Sequence, residues 1–504
     1  MPQPLTDLQA VAEIVATYCK KKIDIIVPWA KETEKDGLFQ KFFHGLPKNI
    51  VPDGKEKKGD YFGYVRGSSS FRSVVSRFGN ALYDLLPHLD LSKSRLSMVN
   101  RAEYECARMQ LYMEVLSLLY ARKAAVPIAR SLFNKAEKFR LSKYSVYGAE
   151  WLRKHASENG ETAEFEKLCT KWTNWSGQYQ AEGKAKQYLE EITVHFVKSS
   201  AQQPELTEKA FKYASEIEKN LAIYINSYLL PYHKYKLEAL GHHIACRFPE
   251  AIQTWNKLET YLYANPDFAS DTRFADIAVN KMDCYMKLTD HEAAWQYAAV
   301  SEQYFWPGSS NWYIFMEYYF QLAMHAGEYK KASAIMVSVV HGKHQENIRS
   351  SSREKWEIFK AYNNYTSGIP GNGDTFDIEN FTKDFPIYHQ DKKGYNISIL
   401  IIQWCFLIRI GAYGKLYDIA EALKKYQLRY LKGSTDYRTD LFVGMMLTAN
   451  RLQYNYEAVY KETRETINEL KSLPFTYNGS LDGLEVIPFD ILLEMPLADM
   501  KIRN

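Results

Sequence analysis

The sequence lacks the motifs that identify most enzymes and metalloproteins. Its six cysteines are spread over 504 residues, with no C-x-x-C pair and no histidine at zinc-finger spacing. No G-x-S-x-G, H-E-x-x-H or Cys/His nucleophile signature occurs. We therefore expect a non-enzymatic protein without a cofactor or metal ion, whose cysteines are reduced and buried. An enzyme with its site in residues 1–95 stays open as an alternative.

Long apolar runs are also missing. The most apolar stretch, Ile397 to Ile410, is shorter than the roughly 18 residues that a membrane span needs, and it contains Ser398, Gln403 and Arg409. The opening sequence, MPQPLTDLQAVAEIVATYC, has no basic leader before an apolar block. We therefore expect a buried core helix in that stretch, no membrane association, no secretory signal and a cytoplasmic location.

The two His-containing segments have little metal-binding character. His242 and His243 are adjacent, and adjacent residues of a helix point about 100° apart, which suits chelation of one ion poorly. His341 and His344 have Glu346 as their one nearby carboxylate. We interpret both segments as surface histidines.

Positive charge is concentrated near the N-terminus. The net charge is +4, and residues 1–100 contain 15 Lys and Arg against 11 Asp and Glu, which accounts for the whole excess. A Gly-, Pro- and Lys-rich passage at 45–77 combines cations with aromatic residues, as a phosphate or nucleic-acid contact would. The acidic residues in the same passage favour a solvated loop instead. The candidate anion contacts are Lys55, Lys57, Lys58, Arg66, Arg72 and Arg77.

The most informative stretch is Gly327 to Val340, GEYKKASAIMVSVV. Its apolar residues fall at i, i+3, i+4 and i+7 after a tight Gly-Glu turn, which predicts the second helix of a hairpin. The same turn and leading small residue recur at offsets of 43, 38, 84 and 42 residues. The leading positions are Ala251, Ala294, Ala332, Leu416 and Ala458. One hairpin cannot bury its own apolar face, so the recurrence predicts a stacked array.

The offset of 84 residues predicts a further unit with an unusual second helix between Arg353 and Asp384. A loop at 366–393 would interrupt the array there. Its GIPGNGD segment has the composition of a phosphate loop but lacks the G-K-[ST] ending, so we expect a structural excursion.

The segments LTDHEAA, HAGEYKKA and IGAYGKLYDIAEAL resemble the turn and second helix of tetratricopeptide (TPR) repeats. That resemblance implies a right-handed α-α superhelix that binds proteins or peptides along its concave face. The spacing here is near 40 rather than the 34 of TPR units, and a Leu-Gly pair occurs in one unit only. The layout also resembles bacterial helical-repeat proteins. The fold class we expect is therefore all-α, a TPR-like solenoid with a distinct, mostly helical N-terminal region.

Four segments are predicted. They are an N-terminal region at 1–95, a long-helix segment at 96–200, the repeats at 201–471 and a C-terminal segment at 472–504. Within the second, the chain from Glu161 to about Lys198 is either one long helix or two helices joined near Gly177. The C-terminal segment either caps the last helix face or is a partner-binding tail.

Tyrosine is abundant, with 38 residues in the chain, and seven of them form two clusters. Tyr rings bind peptides with little loss of side-chain entropy, but they also fill seams between helices. The candidate partner contacts are Tyr224, Tyr228, Tyr232, Tyr235, Tyr313, Tyr318 and Tyr319. We expect a protein- or peptide-binding scaffold with no small-molecule substrate. The alternative is a regulatory, nucleic-acid-associated factor that contacts phosphate through 45–77.

Overall fold

The computed structural model describes residues 69–198, 204–342, 350–367, 395–432, 436–475 and 485–503, together with 11, 12, 14, 15, 17 and 18. The chain divides into two compact units, Met1–Phe139 and Arg140–Asn504. The predicted boundaries at 95, 200 and 471 remain predictions. Lys55, Lys57, Lys58, Arg66 and almost all of the predicted loop at 366–393 lie outside the described residues.

The described residues form eighteen α-helices and no strand, which confirms the all-α fold class. The helices are α1 Ser69–Leu85, α2 Met98–Leu118, α3 Arg122–Lys138, α4 Ser142–Asn159, α5 Thr162–Lys198, α6 Pro204–Leu221, α7 Leu229–Ile244, α8 Phe248–Ala264, α9 Asp271–Lys287, α10 His291–Glu302, α11 Ser310–His325, α12 Tyr329–Val340, α13 Ser350–Ser367, α14 Tyr395–Ile410, α15 Tyr413–Tyr426, α16 Tyr437–Arg451, α17 Tyr456–Ser472 and α18 Phe489–Arg503. None of these helices combines the length and apolar character that crossing a bilayer requires.

Within the second unit the helices pack in chain order, each mainly against its neighbours, as in an α-solenoid. Within the second unit, α7 packs against α6 and α8, α9 packs against α8 and α10, and α14 packs against α13 and α15. One hydrophobic core extends from α9 to α18, and a second lies beneath α5, α6 and α7. The predicted core helix within 397–410 is α14, where Ile399, Ile401 and Cys405 are fully buried.

The predicted repeat is confirmed by the backbone at five hairpin turns. Each turn has a residue in the left-handed conformation, and the predicted small position lies five residues further along the chain. The left-handed residues are Cys246, Thr289, Gly327, Gly411 and Gln453. In each case the next residue donates its N–H to the carbonyl five positions earlier, which is the Schellman arrangement that ends a helix.

The residue five positions after each left-handed residue packs the second helix against its neighbours. Ala251, Ala294, Ala332 and Leu416 are all completely buried, so the second helix of each hairpin approaches its neighbours there. Ala458 is only half-buried, and the adjacent Val459 enters the core in its place.

The first unit contains a hairpin with the same turn, which the sequence analysis did not identify. Tyr120 has φ 61° between α2 and α3, and Ala125, five residues later, is completely buried. This hairpin lies outside the stretch between Ala251 and Ala458 in which the recurrence was found.

The segment 162–198 is one helix, α5, of 37 residues. Gly177 does not break it. A side chain at Gly177 would collide with the ring of Tyr224, so this glycine permits a close approach of that tyrosine to the helix.

The C-terminal segment is joined to the array by buried polar contacts. Arg438 donates to both carboxylate oxygens of Glu485 at 3.0 and 2.6 Å and to the carbonyls of Leu470 and Leu473. The carbonyl of Glu485 accepts from Nε2 of His325 at 2.7 Å. Because a buried guanidinium without these acceptors would be costly, the contacts fix where the chain enters α18.

Thr289 tests the left-handed turn. A β-branched residue at φ 60° is strained, so Thr289→Gly should raise the free energy of unfolding by about 1 kcal/mol. Gly327 is the matched reverse case, because its φ is 72° and a Cβ there would meet no atom within 4 Å. Gly327→Ala should therefore lower the free energy of unfolding through backbone strain alone. Denaturant unfolding of both variants measures this, and a Thr289→Gly variant less stable than wild type would contradict the account.

His325 should make the fold sensitive to acid. Burial lowers its pKa to about 3, so below pH 6.5 the unfolded chain takes up a proton that the folded chain does not. Stability should therefore fall as the pH drops below 6.5. Between pH 7 and pH 5 the wild type should lose about 2 kcal/mol more than His325→Gln.

Denaturant unfolding at both pH values tests this, with the exposed His341→Gln as the control that should behave like wild type. Equal pH dependence of wild type and His325→Gln would show that the buried imidazole is not responsible.

Candidate partner-binding surface

The first tyrosine cluster surrounds the start of α7. The ring of Tyr228 stacks on Phe268 with centroids 5.2 Å apart, and Tyr232 meets Phe268 edge-on at 5.8 Å. Phe268 lies in the connection between α8 and α9 and is buried. Two guanidinium groups cover these rings, Arg273 over Phe268 at 3.7 Å and Arg140 over Tyr228 at 4.3 Å. We call this set the Tyr228 cluster.

The two arginines of the Tyr228 cluster have different roles. Arg273 donates to the carbonyl of Phe268 at 2.6 Å and to Oγ of Ser270 at 3.3 Å, so it holds the connection before α9. Arg140 forms neither a hydrogen bond nor an ion pair with any described residue. Arg273 therefore stabilises the connection between α8 and α9. The hydrogen-bond donors of Arg140 have no acceptor among the described residues.

The other two tyrosines predicted in this region lie beside the Tyr228 cluster. Tyr224 is half-buried against Gly177 of α5. Tyr235 lies near Tyr261, with ring centroids 6.4 Å apart, and the hydroxyl of Tyr261 donates to the carbonyl of Tyr228 at 3.0 Å. The rings are thus joined across α7 and α8 and are at most half-exposed.

A half-buried ion pair lies next to these rings. Lys236 Nζ lies 2.7 Å from Oδ2 of Asp276 and near the ring of Tyr232. Asp276 and Tyr232 raise the pKa of Lys236 against the effect of its burial, which is the largest influence and lowers it. Lys236 is therefore charged, and it is already paired with the carboxylate of Asp276 on α9.

The second tyrosine cluster lies mainly inside the protein. Tyr313 and Tyr318 are buried members of the large hydrophobic core. Tyr319 is half-buried and meets Trp295 edge-on at 5.3 Å, and the ammonium of Lys331 lies 3.2 Å from the centroid of Trp295. This cluster links α10, α11 and α12 and leaves little ring surface for a partner.

The structure reveals a more exposed aromatic surface that the sequence analysis missed. Tyr263 at the end of α8 lies 5.1 Å from Phe274 in the first turn of α9, and Phe274 stacks on Tyr304, just after α10, at 5.8 Å. Tyr263 is 66% exposed, and Trp306, two residues after Tyr304, is 61% exposed. We call Tyr263, Phe274 and Tyr304 the aromatic ladder. Its members lie on α8, on α9 and just after α10, so no local sequence motif could reveal it.

The surroundings of the aromatic ladder are acidic. Asp271 and Glu259 raise the pKa of Tyr304, although burial is the larger cause. Glu259 is paired with the buried Lys281 at 2.5 Å. Asp271 has no ion-pair partner among the described residues. The ladder therefore combines the exposed ring of Tyr263 with an unpaired carboxylate.

The predicted anion contacts are described only in part. Arg72 and Arg77 are exposed on α1. The other four lie outside the described residues, so the basic passage stays a prediction.

The buried His243 corrects the prediction of surface histidines. Its Nε2 lies 3.0 Å from Oδ2 of Asp283, and its Nδ1 lies 3.5 Å from Sγ of Cys284. The order of groups is that of a cysteine nucleophile with its base and orienting carboxylate. Burial, however, raises the pKa of Cys284 well above its usual value, and the thiolate is the reactive form. The contacts therefore serve to connect α7 with α9. They were invisible to sequence because residues 243 and 283 are 40 positions apart.

No metal-binding group of three or more His, Cys, Asp or Glu side chains occurs within the described ranges. Comparisons of the chain with known protein families, with curated proteins and with solved structures found no match.

Proposed function

We propose that the chain is a non-enzymatic scaffold that binds a protein or peptide through the aromatic ladder of its helical array. The observation that carries this proposal is the exposure of Tyr263 beside Phe274 and Tyr304 on three consecutive parts of the array. Exposed aromatic rings on a rigid support are the groups that contribute most to protein recognition. The finer TPR-like assignment, with its concave binding face, belongs to this proposal.

The chemistry of the ladder favours one class of partner. Asp271 would attract Lys or Arg, and the ring faces of Tyr263 and Tyr304 accept either apolar side chains or cations. The partner is therefore an exposed segment that mixes basic residues with Leu, Phe or Trp. Acidic segments would be repelled by the unpaired carboxylate of Asp271.

The other aromatic groups support this choice of surface. Tyr313 and Tyr318 are buried, and the Tyr228 cluster is at most half-exposed. Binding at Tyr313 or Tyr318 would require helices to move apart. The ladder needs no such rearrangement, so a partner would not have to offset the cost of opening the core.

A matched pair of exposed tyrosines tests the proposal. Tyr263 and Tyr417 are 66% and 63% exposed, but only Tyr263 belongs to the ladder. Fluorescence anisotropy would measure binding of a short labelled peptide of Arg, Leu and Trp, and of a peptide with Glu in place of Arg. We expect the basic peptide alone to bind. Tyr263→Ser should weaken its binding about tenfold, as loss of an aromatic contact does, and Tyr417→Ser should leave binding unchanged.

Three results would contradict the proposal. They are failure of the basic peptide to bind, equal effects of the two serine variants, and preferential binding of a single-stranded RNA oligonucleotide to the wild type. The last result would instead favour the nucleic-acid-associated alternative. A photo-crosslinking residue placed at 263, with 417 as the control position, would then identify the natural partner in cells.

A further inference from the structure

The first unit contains a pocket that the scaffold function does not use. Its volume is about 730 Å³, within the usual range of small-molecule sites. The pocket lies between α2, α3 and the chain segment that precedes α2. Arg101, Glu105 and Arg108 line it from α2 at positions i, i+4 and i+7. Apolar residues usually occupy this spacing between packed helices, so α2 presents a polar stripe to the pocket instead.

The corresponding stripe of α3 is also polar. It consists of Ser131, Asn134, Lys135 and Lys138. Apolar walls complete the pocket, including Leu89, Leu91, Met98 and Phe139. The pocket therefore offers hydrogen-bond donors on one part of its lining and apolar contact on another.

Positive charge exceeds negative charge in the lining. Four cations face two carboxylates, Asp90 and Glu105, which leaves an excess of two positive charges. Glu105 is paired with Lys135. Arg101 donates to the carbonyl of Ser92 at 2.8 Å and has no carboxylate partner among the described residues. Lys138 likewise has no ion-pair partner in that part of the chain and lies 5.3 Å from the centroid of Phe139.

Arg108 has a hydrogen-bond donor without an acceptor. One of its terminal nitrogens donates to the hydroxyl of Tyr112 at 3.1 Å, and the guanidinium lies over the rings of Tyr104 and Tyr112. Its Nε is buried without a hydrogen-bond partner, and its other terminal nitrogen has no acceptor among the described residues. That terminal nitrogen is not buried, so an anion in the pocket would accept a charge-assisted hydrogen bond from it.

From these contacts we propose that the pocket binds a small phosphate monoester with an apolar or aromatic body. A phosphate monoester carries close to two negative charges at pH 7, which matches the excess charge of the lining. Arg101 and Arg108 would contact the phosphate through planar guanidinium groups, which suit its oxygens, and the ammonium of Lys138 would act as a point charge. Leu91, Met98 and Phe139 would contact the body of the ligand. This inference concerns the first unit alone and is independent of the aromatic ladder.

Binding of adenosine monophosphate to the full chain tests the proposal by isothermal titration calorimetry. Adenosine, which lacks the phosphate, and inorganic phosphate, which lacks the apolar body, are the comparison probes. We expect adenosine monophosphate to bind more tightly than either. Arg108→Gln should weaken its binding about tenfold, the effect of losing a charged hydrogen bond, and Lys138→Gln should act in the same direction.

Arg130→Gln is the matched control. Arg130 is an exposed arginine of α3 outside the pocket, so its variant has the same change in charge and should bind like wild type. Circular dichroism would show that each variant keeps its helices.

The proposal is wrong if none of the phosphate probes binds. It is also wrong if Arg108→Gln and Lys138→Gln bind adenosine monophosphate like Arg130→Gln. Finally, a single-stranded RNA oligonucleotide that binds through these residues while adenosine monophosphate does not would identify the pocket as a nucleic-acid contact and overturn the small-molecule assignment.

Discussion

The hairpins of this chain depend on one backbone constraint, a single residue in the left-handed conformation between two helices. It ends the first helix with a hydrogen bond from the following N–H to the carbonyl five positions earlier. It also sets the rotation of the second helix about its own axis, so that the residue five positions later faces the core. That residue must be small or well packed, which accounts for Ala251, Ala294 and Ala332. The stacking of the array follows from this geometry.

The same stacking creates surfaces that no single helix contains. The aromatic ladder takes one ring from each of three successive parts of the array, and the pocket of the first unit takes one polar stripe from each of two helices. In both places the helix backbone supports side chains whose charges are incompletely balanced. The ladder is acidic and the pocket is basic, so the chain would select chemically different ligands at the two positions.

The sequence predicted the all-α class and the register of the hairpins, because a period of about 3.6 residues and a recurring small residue are local features. It missed the hairpin at Tyr120, which lies outside the recurrence between Ala251 and Ala458. It also failed for His243, whose partners Asp283 and Cys284 are distant in sequence. The two tyrosine clusters predicted from the sequence include both buried and half-exposed rings, because Tyr is equally suited to both environments. Only the solvent exposure of their side chains in the structure distinguishes the buried Tyr313 from the exposed Tyr263.

Hydrogen exchange resolved to single amides tests the central constraint most directly. If the left-handed turns end the helices as described, the amides of Arg247, Asp290, Glu328 and Ala412 should exchange slowly, because each donates to a carbonyl five residues earlier at 2.9 to 3.0 Å. Their protection should be comparable with that of amides inside the adjoining helices. Exchange of these amides as fast as in an unstructured peptide would show that the turns are not formed, and the repeat architecture would then be wrong.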